Sequence, residues 1–163
     1  MSTRAFGESF VQANSTDFSW GASSHGFAVS LPFSKLNFDP TEPIVAVLGL
    51  RNLNSNPALV ARGDIFSDFA WVVLDAAGRQ LQPRDDRPAP GFESSGPLGI
   101  TLAPRFAWRE SIDLRERFKF APGTYTMTIT RPIQLEADVE RIGFNAPPIA
   151  APMSQTVTIH VLP

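Results

Sequence analysis

Few residues in this chain can do acid–base or metal chemistry near neutral pH. There are two histidines, His25 and His160, and no cysteine. The missing cysteine excludes disulfides, thiolate metal sites and a cysteine nucleophile. Ser24 precedes His25 in Gly21-Ala-Ser-Ser-His-Gly26, and a second serine pair lies in Gly91-Phe-Glu-Ser-Ser-Gly96. A nucleophile elbow needs Gly-x-Ser-x-Gly at a strand-to-helix turn. Neither string has that spacing, and no helical pattern follows. A zinc site would need carboxylates to complete it around the histidines, yet His160 stands among threonines on a wet strand face. Asp85, Asp86 and Glu93 offer oxygens of the kind Ca²⁺ takes, but Arg84 and Arg87 flank the aspartates and neutralise them. Asp64 and Asp68 bracket Ile65-Phe66 and read as turn caps. The expectation is therefore no catalytic residue, no metal and no cofactor. Trp20, Trp71 and Trp108 are the remaining candidates, as stacking platforms for a sugar or a peptide. Trp71 lies in an apolar run and reads as core. Trp20 and Trp108 are freer and are candidate partner-binding residues.

The elements that must position these residues are strands. In residues 123–131, Tyr125, Met127 and Ile129 alternate with Thr124, Thr126, Thr128 and Thr130, which is the period of a strand with one buried face. Pro122-Gly123 supplies the turn before it, and Ile112 and Leu114 alternate ahead of that turn. Two strands meeting at a Pro-Gly corner, with a tyrosine opening the second, fit the corner where a tyrosine hydroxyl bonds back to upstream backbone in a β-sandwich.

Along the chain, residues 1–25 place Phe6, Phe10, Phe18 and Trp20 among small polar residues, too aromatic for an ordinary disordered tail. They predict an aromatic arm laid on a domain spanning 26–163. Phe27, Val29, Leu31 and Phe33 share one strand face, and Pro32 puts that strand at an edge. Residues 44–50 form a central strand closed by the turn residues 51–57. Residues 58–65 return, with Leu59 and Ala61 expected inward. Residues 68–75 form a buried strand ending in an Asp75–Gly78 turn, and residues 79–82 a short strand. Brief strands follow around Ile100 and Leu102 and over 106–114, with one helical turn at 114–118. The last strand spans 155–162, where Val157, Ile159 and Val161 alternate with Thr156, Thr158 and His160. Two long loops remain, 83–98 and 132–154. The second carries Ile133, Leu135, Val139, Ile142, Phe144 and Ile149, and a connection of that length is usually functional or disordered. Its apolar content argues against disorder, so these six residues join the partner-binding candidates. The pattern predicts an all-β protein: an immunoglobulin-like antiparallel β-sandwich of seven to nine strands.

Composition agrees. At 163 residues the chain fits one domain, long enough to bury a core without staples. Fifteen Pro and eleven Gly suit strands and turns, and thirteen Phe supply core volume. A net charge of −2 gives no field to recruit nucleic acid. No run reaches the roughly 18 apolar residues of a membrane span, so no membrane insertion is expected. No signal peptide is visible. The expectation is a cytoplasmic protein if Met1 is the native start, and a periplasmic or secreted one if a leader was removed.

Three stretches resemble bacterial immunoglobulin-like domains: Thr41-Glu-Pro-Ile44 with its strand and Arg51-Asn52; Trp71-Val-Val-Leu-Asp-Ala-Ala-Gly78; and Ile112-Asp-Leu114 with Pro122-Gly-Thr-Tyr125. Their order and spacing are similar to the intracellular proteinase inhibitors of bacilli and to sandwich domains attached to secreted peptidases. The resemblance implies the fold and carries over no functional residue. The expected function is a non-catalytic binding or accessory module whose partner is another protein or a second copy of the chain. Alternatives are an inhibitor that inserts the Pro-rich 83–98 loop into a protease cleft, and a self-assembling subunit whose arm docks on a neighbour. A hydrolase using Asp85 and Glu93 as a carboxylate pair is the weakest, because nothing enforces their geometry.

Overall fold

The computed structural model describes residues 19–62, 65–84, 98–133 and 149–163. These described residues form nine strands: β1 (Phe27–Ser30), β2 (Asn37–Phe38), β3 (Val45–Asn52), β4 (Ala58–Arg62), β5 (Ala70–Asp75), β6 (Leu98–Leu102), β7 (Ala107–Asp113), β8 (Gly123–Thr130) and β9 (Val157–Val161). One helical turn, α1 (Ile65–Asp68), and one 3₁₀ turn, Leu114–Glu116, complete it. The first sheet has the order β1-β3-β7, the second β2-β9-β8-β5, and β4 pairs with β6 alone. The chain is an immunoglobulin-like β-sandwich, with first, third and seventh strands on one layer and fifth, eighth and ninth on the other. Every pairing is antiparallel but one: the short β2 runs parallel to β9. The two residues of β2 carry too little alternation to be seen in sequence.

The core follows from the alternation. Ala46, Leu48 and Leu50 of β3 point inward, while Val45 on the other face is 41 % exposed. Met127 and Ile129 of β8 and Ile159 of β9 face them from the second layer, all fully buried. Phe69, next to β5, stacks on Trp108 of β7 with centroids 6.4 Å apart, so aromatic rings join the layers. A second chain of rings runs from Phe66 through Trp71, Phe118 and Phe120 to Tyr125. The Tyr125 hydroxyl donates to the Ala121 carbonyl at 2.8 Å, closing the corner that the Pro-Gly-x-Tyr spacing predicts. The Asp75 turn also forms. Gly78 adopts φ +75, and the Asp75 carboxylate accepts from the backbone N–H of Ala77 and Arg79. These bonds, the one from Arg79 foremost, hold the Asp75 carboxyl below the usual carboxylate range.

Asn52 ends β3 inside the protein. Its side chain is fully buried. It donates to the carbonyls of Leu102 and Asn56 and accepts from Asn54 N–H, so one amide ties β3, β6 and the following turn together. Three details differ from the sequence expectation. The core takes Ala58 and Val60 from β4, one position out of the expected register. A helical turn, α1, precedes β5. The base of the 132–154 loop is not loop at all: Ile133 pairs with Ala150, and Thr130 with Met153, so 149–154 extends the ladder beside β8.

Candidate functional site

Small residues flank Trp20 in Ser19-Trp20-Gly21, which lets the backbone run close to its neighbours. Gly21 N–H donates to Val29 O at 2.9 Å, and Trp20 bridges to Ser30, so residues 19–24, the described part of the arm, add a partial strand to the free edge of β1. A Cβ at Gly21 would stand 1.8 Å from the Met153 carbonyl oxygen, so only glycine fits where the arm crosses the 149–155 segment. Gln155 donates its amide to the Trp20 carbonyl at 3.3 Å, and Ser19 donates to the Gln155 side chain. The arm thus touches both layers of the sandwich.

The Trp20 indole sits in a pit on the outer face of the first sheet. Gly49 makes the pit: a Cβ there would lie 2.4 Å from Ser30 Oγ and 3.1 Å from the indole. The indole occupies the space a side chain would take. The Arg51 guanidinium stands 5.9 Å from the ring centroid, within cation–π range. Among the described residues, Trp20 Nε1 and Ser30 Oγ are buried with no hydrogen-bond partner. In the 149–155 segment that Gly21 crosses, Met153 is 53 % exposed and Ile149 is 36 % exposed. Their backbone is fixed: Ile133 N–H donates to Ala150 O and Ile149 N–H to Ile133 O, each at 2.8 Å, and Ser154 N–H donates to Ile129 O.

Arg131 anchors this corner from below. It is 7 % exposed, and its guanidinium donates to the carbonyls of Asp68 and Pro132, each at 3.0 Å. Its own N–H holds Pro152 O, which sets the 149–155 segment in place. Burial pushes the guanidinium pKa down, and the nearby Asp68 carboxylate opposes the shift.

The candidate residues divide accordingly. Ile149 is exposed, and Trp20 is half-buried in its pit. Trp108 lies opposite Leu50, faces inward and stacks on Phe69, because its register position falls on the buried face of β7. Ile133 is fully buried and is a core residue rather than a contact surface, since the ladder that extends β8 carries it inward. Leu135, Val139, Ile142 and Phe144 lie outside the described residues, as do Asp64, Asp85, Asp86 and Glu93. Sequence reasoning missed Met153, which it treated as part of a loop; an isolated methionine between Pro152 and Ser154 gives no periodic signal.

Hydroxyl–imidazole contacts occur twice, Ser24 with His25 at 3.2 Å and Thr124 with His160 at 3.0 Å. Both are exposed, and neither has a carboxylate behind the imidazole among the described residues. No group of three His, Cys, Asp or Glu side chains there could hold a metal ion, and no described helix is long and apolar enough to cross a membrane.

No protein-family model matches the sequence, and no curated protein matches it. Among solved structures, the chain is similar to the CARDB domain of the PF1109 protein from Pyrococcus furiosus, crystallised in complex with di-metal ions. The identity is 12 %, the TM-score 0.44, and the match covers 90 % of this chain and 98 % of that one. What the strand order establishes by itself is the architecture: this chain is an immunoglobulin-like β-sandwich, and residues 20–24 lie along the edge of β1.

Proposed function

We propose that the protein is a non-catalytic binding or accessory module that engages another protein through the 149–155 segment, where Ile149 and Met153 are exposed. One observation carries this reading: two exposed apolar side chains stand on backbone fixed by ladder hydrogen bonds, in the segment that the Trp20–Gly21 backbone crosses. Exposed aliphatic groups on rigid backbone lose little entropy on association, which favours contact with a protein surface. Aromatic residues and Met are the types enriched at such contacts. The double variant Ile149→Asp, Met153→Asp tests it. Proteins captured by the wild-type chain from its source lysate should be lost, while far-UV dichroism and Tm stay unchanged. Retention of every captured protein by the variant overturns the reading.

The inhibitor reading rests on a narrower point. Both ends of the 83–98 loop are held, the first by Arg84 N–H donating to Arg117 O at 2.7 Å and the second by β6. Inhibition of a serine, cysteine or metallopeptidase panel without loop cleavage would support it, and rapid cleavage without inhibition would remove it.

A further inference from the structure

The arm meets β1 through a two-residue hairpin turn. Ser24 N–H donates to Phe27 O at 2.8 Å, and Phe27 N–H donates to Ser24 O at 2.9 Å. The two residues between them, His25 and Gly26, both have positive φ, +49 and +80. That is the turn type whose twist matches a hairpin, and it usually carries Asn-Gly or Gly-Gly. Gly26 suits it; a Cβ there would lie 2.1 Å from Asn54 Oδ1. His25 does not suit it, since a residue with a Cβ is strained in the left-handed region. Leu53 N–H holds Gly26 O at 2.6 Å, so any opening is confined to His25 and the residues before it.

Part of what residues 19–24 gain by closing is offset. The pit buries Trp20 Nε1 and Ser30 Oγ without partners, and an unsatisfied buried polar atom offsets part of the packing gain. Other attachments of residues 19–21 include the Gly21–Val29 bond, the Trp20–Ser30 bridge, the contacts of the exposed Gln155 and the contact of Trp20 with the half-buried Arg51.

We infer that residues 19–24 form an exchangeable strand, which opens at His25 and docks on the β1 edge and Gly49 pit of a second copy of this chain. Every docking contact made within one chain is reproduced between two, so those contacts cancel in the comparison. The hinge remains. Opening it releases the left-handed strain at His25, and a short hinge under strain is the condition that invites strand exchange. The recognition mode is strand addition to a sheet edge, with backbone bonds supplying affinity and a pocket for one side chain supplying selectivity. This inference does not depend on the partner-binding reading of Ile149 and Met153.

The test uses the full chain, which lacks cysteine. Ser19 and Gln155 touch in the closed form, so Ser19→Cys, Gln155→Cys traps whichever arrangement is present. Samples are incubated from micromolar to millimolar concentration, oxidised, run on a non-reducing gel and mapped by mass spectrometry. The expected result is a 19–155 cross-link within one chain in dilute samples, and a growing fraction of covalent dimer carrying the same 19–155 link in concentrated ones. His25→Gly in that background should lower the dimer fraction by roughly an order of magnitude, because glycine bears positive φ without strain. Light scattering on the unmodified chain gives a second readout. Only intrachain 19–155 links at every concentration, with a single species near 17.8 kDa by scattering, overturns the proposal.

Discussion

Asn52 offers the sharpest test of how this sandwich is held at one end. Its amide orientation is fixed by its surroundings, because the nitrogen faces two carbonyls, Asn56 O at 2.9 Å and Leu102 O at 3.0 Å, while the oxygen faces Asn54 N–H at 3.0 Å. Asn52→Leu keeps the volume and removes all three bonds. Each is worth about 1 kcal/mol net, so the expected loss is about 3 kcal/mol, or roughly 6–12 °C in Tm for a chain of this size. Asn52→Asp keeps the acceptor for Asn54 but turns an anionic oxygen toward two carbonyls in a site with no solvent exposure. Burial and those carbonyls both disfavour the charge, so the folded-state pKa of the new carboxyl lies above its unfolded value of about 3.9.

The sign of the pH dependence follows. With the folded pKa raised, the folded state holds more protons than the unfolded state between the two pKa values, and stability falls as pH rises through that window. Asn52→Asp should therefore be closest to wild type near pH 4 and lose ground toward pH 7. The difference between wild type and Asn52→Leu should stay flat over the same range. Chemical denaturation of the three proteins at pH 4, 5.5 and 7 measures this. An Asp variant that tracks wild type at pH 7, or a Leu variant that costs under about 0.5 kcal/mol, would refute the view of this amide as the tie between β3 and β6.

Two further outcomes follow from the same structure. Tyr125→Phe removes only the hydroxyl bond to Ala121 O and should cost about 1 kcal/mol by denaturant midpoint, since the ring contact with Phe120 at 5.0 Å survives. Arg131→Met should cost about 2–4 kcal/mol, because it strips two carbonyls of their charged donor and removes the Arg131–Asp68 ion pair. Arg131→Lys should recover less than half of that, as an ammonium cannot reproduce a planar fork between Asp68 O and Pro132 O; full recovery would show that charge alone matters there.

What could be read from the sequence, and what could not, divides along physical lines. The alternation in 124–130 and 157–161 was legible because each strand has one buried and one wet face, and period two survives in residue type. The Pro-Gly-x-Tyr corner and the Asp75–Gly78 turn were legible because both depend on one residue with a special backbone and one with a fixed side-chain bond. β2 was invisible, being two residues long and held by pairing with β9 and by burial of Phe38 alone, which leaves no period to read. Trp108 illustrates the harder limit. Ala107-Trp-Arg-Glu-Ser111 has no apolar period, so nothing local says which face the indole takes. Its pairing with Leu50, a contact distant in sequence, decides that.

The same reasoning explains why the surface corner was only half visible. Trp20 stood out as an aromatic among small polar residues, but its receptor did not, because a receptor made of Gly49 and Ser30 is defined by what is absent from the side chains. Gly49 in an otherwise apolar strand looks like a weak point in the ladder. In the folded chain it is the reason the arm has somewhere to go. Enlarging it to alanine would set a methyl 2.4 Å from Ser30 Oγ and 3.1 Å from the indole, so the Ser30 hydroxyl must turn away and the indole must give by a few tenths of an ångström. β3 itself should persist, because its inward residues Ala46, Leu48 and Leu50 are untouched. The glycine therefore belongs to the logic of the arm, not to that of the sheet.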